Sequence, residues 1–426
     1  MKIAIVADVL INSGGGLHMA MTAFNNFRKI NNPNFEIVFV STNKDLSVLL
    51  NKKLDLKTIL FDKNDILNKI LLKLRNFSFV NYLSIKYDFS NIFEKFLKKN
   101  KVDLIFFLSP SSLVALCDKT NFIYTIWEFQ HKFTPFFPEY KSNSIENKDA
   151  LNDFAIKKAF KLILGNNTDL NNFSKIYNVN ADRLRTLMFP SYLTQIKNEN
   201  SLDQIDFEFQ EKINEKKFLF YPAQFWAHKN HEYIINSFEK IDDKNLYCIF
   251  TGIDKGNLKF IKKIIYKKKL NEKFIIFDYL SNEKIQYLYS KCYAVLFPSY
   301  VGSHSFPLFE GFYYKKPVIY NKYTIDEDLK NMVFQIDIED KNDLNNILKS
   351  FISNKSEIIS RVDKAKNYFE EKFNTKAIQD NIEKVLKTNE FKQDEILFNS
   401  ILDVCSKYEL YDDMKKFYEI MKEKKF

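Results

Sequence analysis

The sequence predicts an α/β protein built on two doubly wound parallel sheets joined by a linker and followed by a helical tail. Three observations carry that prediction. Short, near-continuous apolar runs alternate with longer amphipathic stretches through both halves; a polar, charged segment interrupts them near the middle; and beyond about residue 363 only helical patterns remain. Apolar runs of this kind fit strands of a parallel sheet, because helices cover both of its faces and leave neither to water.

In the first half the strand-like runs are KIAIVAD (2–8), FEIVFVS (35–41), DLIFFLS (103–109), NFIYTIW (121–127) and KLILG (161–165). Residues 196–217 are polar with few apolar positions in register, and are expected to be the linker. A second series follows: FLFYPA (218–223), LYCIFTG (246–252), KFIIFD (273–278), AVLFPS (294–299) and PVIY (317–320). The expected domains are therefore 1–195, 218–385 and a C-terminal helical hairpin over 386–426. The hairpin, DEILFNSILDVCSKYELYDDMKKFYEIMKEKKF (394–426), resembles one unit of the pentatricopeptide type, which in arrays reads RNA. A lone unit cannot bury its face without neighbours, so packing on the body or on a partner chain is the alternative.

Composition excludes several classes. With 46% hydrophobic and 16% aromatic residues, the 426-residue chain has material for large cores and is not disordered. Only 8 Gly and 4 Cys rule out collagen-like and disulfide-scaffold architectures. The cysteines form no CxxC pair, so thiolate metal sites are not expected and a reducing compartment is. The apolar N-terminal run lacks the features of a signal peptide, and no run approaches the roughly 18 apolar residues of a membrane span. Cytoplasmic localisation is expected. Lys and Arg total 64 against 54 acidic residues, a surplus of 64 − 54 = +10. That surplus suits anionic lipid or phosphorylated substrates, or reflects drift toward Lys and Asn; with the lysines dispersed, no nucleic acid is expected as partner.

The scarce residue types point to the loops. Each of the five His and two Trp falls at or just beyond the carboxyl end of a predicted strand, where open α/β sheets bind ligands. After the first strand, DVLINSGGGLHMAMTAF sets Gly14, Gly15 and Gly16 at a helix start, an arrangement that exposes N–H groups to phosphate or simply makes a tight turn. In TIWEFQHKFTPFFPEY, Glu128 and His131 suit acid/base or hydroxyl-binding roles, against a packed aromatic loop as the alternative. In FLFYPAQFWAHKNHEYIINSF, Lys229 stands just before an amphipathic helix, where an ammonium reaches a diphosphate. VLFPSYVGSHSFPLFEGFYYKKPVIY brings helix-start amides at Ser305 and Phe306, with Glu310 placed to accept from hydroxyls or to be a plain surface residue.

In this order the last two loops resemble the donor-binding half of retaining glycosyltransferases of family four, which have the GT-B fold. YLSNEKIQYLYSKCYAVLFPSY is similar to the stretch before that family's donor motif, PLFEGFYYKKPVIY to the motif's second half, and the glycine loop to its phosphate-facing loop. The resemblance spans about residues 1–385 and is specific in the C-terminal half. It implies two Rossmann-like domains facing each other across a cleft, and transfer of a sugar from a nucleotide-sugar to an acceptor hydroxyl with retention. It further implies a hexosyl-type, metal-independent enzyme, and no dedicated metal site is expected. Lys229 and amides near Gly15, Gly16, Ser305 and Phe306 would stabilise the departing diphosphate, with Glu310 on the ribose. Three positions depart from the family: Gly302 replaces its first glutamate, Gln224 its arginine, and Trp127 its histidine, with Glu128 at the acidic position and His131 nearby.

The implied setting is bacterial surface glycan synthesis, such as lipopolysaccharide or capsule, with a glycan or lipid-linked acceptor. ILNKILLKLRNFSFV (66–80) fits either an anionic membrane surface, placing the protein peripherally on the inner membrane face, or a buried helix. The alternative reading is a catalytically degenerate subunit that binds a sugar nucleotide or a partner glycosyltransferase. An epimerase or phosphorylase on the same fold is a further one.

Overall fold

The computed structural model describes residues 1–9, 14–63, 70, 90–117, 119–127, 129–140, 142–195, 205–302, 306–387, 412 and 415. Two compact units emerge, and neither is continuous in sequence. The first comprises Met1–Phe129, Ser142–Phe189 and the described residues from Ile378 onward; the second comprises Gln130–Lys141 and Pro190–Ala377.

The first unit holds β1 (Lys2–Ala7), β2 (Glu36–Ser41), β3 (Ile59–Leu60), β4 (Leu104–Phe107), β5 (Asn121–Thr125), β6 (Lys161–Leu164) and β7 (Leu184–Thr186). All pair in parallel in the order β3-β2-β1-β4-β5-β6-β7, with Ile5 opposite both Phe39 and Phe106 at the centre. The middle strands are apolar throughout because both faces are covered: Ile3, Ile5, Phe107 and Ile123 are completely buried. On the Gly14–Phe27 helix, Ala20, Ala23, Phe24 and Phe27 are buried, a spacing that places them on one side.

The second unit repeats the plan with β8 (Lys217–Pro222), β9 (Leu246–Thr251), β10 (Phe274–Phe277), β11 (Ala294–Phe297), β12 (Val318–Asn321) and β13 (Phe334–Ile336), ordered β10-β9-β8-β11-β12-β13. Every strand expected from an apolar run is present. Three others, β3, β7 and β13, were not anticipated; each lies at a sheet edge and has only two or three residues, too short to leave a readable run.

Residues 196–204 of the expected linker, and the tail apart from Leu386, Lys387, Asp412 and Lys415, lie outside the described residues, as does the 66–80 stretch except Ile70. The rest of the linker segment is structured. Asp206 caps the Phe207–Ile213 helix by accepting from the Phe209 N–H at 2.9 Å, and Phe209 and Ile213, four apart, are both buried. The Thr375–Leu386 helix ends in the first unit, where the buried Lys161 ammonium donates to the carbonyls of Val385 at 2.8 Å and Lys387 at 2.9 Å. That cation satisfies carbonyls a helix end leaves open. Cys117, Cys248 and Cys292 are buried thiols outside any disulfide. No helix among the described residues is long and apolar enough to cross a membrane.

Candidate functional site

In the second sheet the strand order reverses between β8 and β11, so the loops leaving their carboxyl ends flank the crevice where such sheets bind ligands. Hydrogen bonds zip these two loops together. The His228 carbonyl accepts from the Tyr300 N–H at 2.9 Å and from the Ser299 hydroxyl at 3.2 Å, and the Asn230 amide donates to the Pro298 carbonyl at 3.2 Å. Asn321, at the end of β12, donates to the Ser299 carbonyl at 2.9 Å.

Lys229 sits at the centre of this zipper, half-buried at the end of the Ala227–Lys229 turn. Its carbonyl accepts from the Tyr221 hydroxyl at 2.6 Å, and its ammonium stands 5.4 Å from the centre of the Phe297 ring. Asn230 then takes a left-handed conformation (φ 55°), which Asn tolerates better than most residues, and caps the His231–Phe238 helix through the Tyr233 N–H at 3.2 Å. The completely buried His231 ring stacks on Phe225 at 4.7 Å, lies tilted against Tyr221 and meets Phe250 edge-on. Burial first, then the neighbouring Lys229 charge, pushes its pKa down to about 3. The imidazole is therefore neutral, and the turn presents the Lys229 charge without a second cation on that ring.

Gln224 does not reach outward as a substitute for arginine: its carbonyl oxygen accepts from the Trp226 indole at 3.0 Å. Gly302 has a steric reason. A Cβ there would lie 2.7 Å from the Tyr320 hydroxyl and 3.1 Å from the Phe297 ring, and that hydroxyl donates to the Gly302 carbonyl at 3.2 Å. Tyr320 thus fills the space a longer side chain at 302 would need.

Phe306 opens the Phe306–Tyr313 helix, and Glu310 lies one turn on. Rather than standing at the surface, Glu310 is buried: the Tyr289 hydroxyl donates to its carboxylate and Ser191 also hydrogen-bonds it. Burial raises its pKa, and these two hydroxyls act against that shift. His131 is likewise buried, in the Gln130–Lys132 turn, with its ring 6.1 Å from that of Tyr140. Glu128 and Ser305 lie outside the described residues. Gly14, Gly15 and Gly16 form the first turn of the helix after β1, so their N–H groups belong to a helix start, as anticipated.

Sequence reasoning missed Glu139. Its carboxylate accepts from the His228 N–H at 3.0 Å and pairs with the His228 ring, while its neighbour Phe137 contacts Tyr300 at 5.4 Å. The residues are 89 apart, and no local pattern links them. It missed Asp8 as well. At the carboxyl end of β1, Asp8 accepts from Ser111 at 2.8 Å and Thr42 at 3.1 Å, pairs with Lys63, and donates its own N–H to the Ser109 hydroxyl at 2.7 Å. This polar cluster occupies the first sheet's own reversal point between β1 and β4.

Comparison with known proteins fits this geometry. Residues 203–371 match the family model described as Glycosyl transferases group 1. Over 198 residues the chain is 25% identical to the O-antigen chain mannosyltransferase RfbU of Salmonella typhimurium, an alignment covering 46% of this chain and 52% of that one. It thus spans about half the length of that curated relative. Among solved structures, HepE of Anabaena in complex with UDP and glucose superimposes with a TM-score of 0.68 at 13% identity, over 91% of this chain and 99% of that one. WaaG, a glycosyltransferase involved in lipopolysaccharide biosynthesis, gives a TM-score of 0.61 at 12% identity over 90% and 99%. At such identities the likeness shows the fold: an α/β chain of GT-B type with two Rossmann-like units.

Proposed function

We propose that the protein transfers a hexosyl group from a nucleoside-diphosphate sugar to an acceptor hydroxyl, with retention at the anomeric carbon, in the synthesis of a bacterial surface glycan. One observation carries the proposal: Lys229 is held on a rigid turn between two zipped loops at the β8/β11 reversal, inside the segment that matches the glycosyltransferase family. The bond from the anomeric carbon to the diphosphate breaks, and one to the acceptor oxygen forms. The acceptor's proton leaves with the diphosphate. Charge grows on the departing diphosphate, and Lys229 stabilises it from a turn whose backbone the Tyr221 hydroxyl and the Trp226 carbonyl already hold. The amide of Phe306 adds a helix-start donor. Glu310 takes a ribose hydroxyl; with Tyr289 and Ser191 orienting it, a carboxylate still has acceptor capacity to spare. No metal is assigned a step, because Lys229 supplies the positive charge.

The UDP and glucose bound by HepE and the O-antigen context of RfbU support a nucleotide-sugar donor and a glycan or lipid-linked acceptor. The acceptor is assigned to the first unit, where the Asp8 cluster offers hydroxyl-binding groups. Thermal shift against UDP-, GDP- and CMP-sugars tests the donor class: one nucleotide class should raise the melting temperature, and no shift with any of them would overturn the proposal. Binding without turnover would identify a nucleotide-sugar-binding subunit instead.

A further inference from the structure

A long run of unbalanced positive charge follows β9 in the second unit. Between Asp254 and Glu272 the sequence contains seven lysines and no acid. Most of this stretch is the Leu258–Lys267 helix, which buries Leu258, Ile261 and Ile265 and packs beside the His231–Phe238 helix. Its opposite face is exposed. Lys259, Lys263 and Lys267 recur every four residues and form a stripe about 12 Å long at 1.5 Å per residue. Phe260, 48% exposed, and Tyr266, 74% exposed, project on the two sides of that stripe.

Some surface lysines elsewhere in the unit have acidic partners: Lys212 with Glu208, Lys322 with Asp337, Lys330 with Glu327, Lys349 with Asp242 and Lys366 with Glu370. Within the stretch Lys268 pairs with Glu239, but Lys259, Lys262, Lys263, Lys267 and Lys269 have no acidic partner among the described residues. What sets the stretch apart is clustering: its unpaired lysines gather along one helix with no acid between Asp254 and Glu272.

We propose that this helix face docks the protein on an anionic lipid bilayer. Unpaired ammonium groups complement a plane of negative headgroups, and aromatic rings flanking a cationic stripe sit at the depth where headgroups meet acyl chains. A duplex or single strand would instead call for a groove, a stacking platform or the bidentate forks of arginine; here the surface is a convex helix whose cations are all lysine. The surface also continues to the donor loops, because the Lys255 ammonium stands 5.7 Å from the Trp226 ring. The proposal stands on the helix alone and does not depend on the nucleotide-sugar reading, whose own test is ligand binding.

Cosedimentation of the full chain with vesicles of phosphatidylcholine, with and without phosphatidylglycerol, provides the test. Binding is expected only to the anionic vesicles and should weaken as salt is added. Combined Lys259→Gln, Lys263→Gln and Lys267→Gln should lower partitioning about a hundredfold, at roughly fivefold per lysine. Removing the same charge from paired positions, by Lys212→Gln, Lys349→Gln and Lys366→Gln, should leave binding nearly intact. Phe260→Ser with Tyr266→Ser should abolish the fraction that survives high salt. Melting temperatures verify that each variant is folded, and the salt dependence of the unmodified protein remains informative if one is not. Equal binding to neutral vesicles, equal losses in the two lysine sets, or tighter binding to duplex DNA than to anionic vesicles would each overturn the proposal.

Discussion

The Glu139 carboxylate holds His228 twice, through the backbone N–H and through the ring, and so fastens the Gln130–Lys141 segment to the turn that carries Lys229. Losing it would leave a part-buried N–H and a part-buried imidazole without that partner, a cost of about 1–3 kcal/mol. Glu139→Ala should lower the melting temperature and weaken donor binding, whereas Glu139→Gln, which keeps an acceptor oxygen, should do less of both. Equal effects of the two substitutions in calorimetry and ligand titration would show that the hydrogen bond to the N–H does not matter.

Lys229→Ala should leave the fold in place, because Lys229 is only half-buried and its backbone contacts survive, yet reduce turnover about tenfold or more. Steady-state assay of the purified variant measures this; an unchanged rate would defeat the assignment of Lys229 to the diphosphate.

Gly302 and Tyr320 should behave as a coupled pair. Gly302→Ala forces a methyl group to within 2.7 Å of the Tyr320 hydroxyl, which costs about 1–3 kcal/mol of overpacking. Tyr320→Phe alone loses one hydrogen bond, worth about 1 kcal/mol. In the double variant the clash is relieved, so the two effects should sum to clearly more than the combined change in denaturant unfolding. Simple additivity would mean that the loop moves aside freely.

Lys161 gives the protein a pH signature. Burial first, then the Arg185 charge, lowers its pKa from 10.5 to about 8. Between those values the unfolded chain binds more protons than the folded one, so this group makes stability rise with pH from about 8 to 10.5. The gain is at most a few kcal/mol, at about 1.4 kcal/mol per unit. Relative to Lys161→Gln, the unmodified protein should become steadily more stable in urea unfolding across that window; parallel curves would exclude the assignment.

How much was legible from the sequence follows from the range of the interactions. Strands such as those at Lys2–Ala7 and Ala294–Phe297 announce themselves because burial on both faces demands unbroken apolar runs. Lys229 and the glycine helix start were readable for a similar reason: their position just after a strand is itself a local signal. Partnership was not. Nothing near Glu310 in sequence predicts that Tyr289 and Ser191 enclose its carboxylate, and nothing near Gly302 reveals that Tyr320 occupies the space beside it. The exposed lysine stripe escaped for a different reason: in a lysine-rich chain, paired and unpaired ammonium groups look alike until their neighbours are placed.

The discontinuous second unit constrains how such chains can be recombined. The stretch that matches the glycosyltransferase family begins at residue 203, and a single crossover there would appear to exchange a complete donor half. It would leave behind Gln130–Lys141, and with it the carboxylate that His228 requires. A functional chimera therefore needs a second, short graft from upstream of that crossover, and substitutions at 139 and 228 should be inherited together.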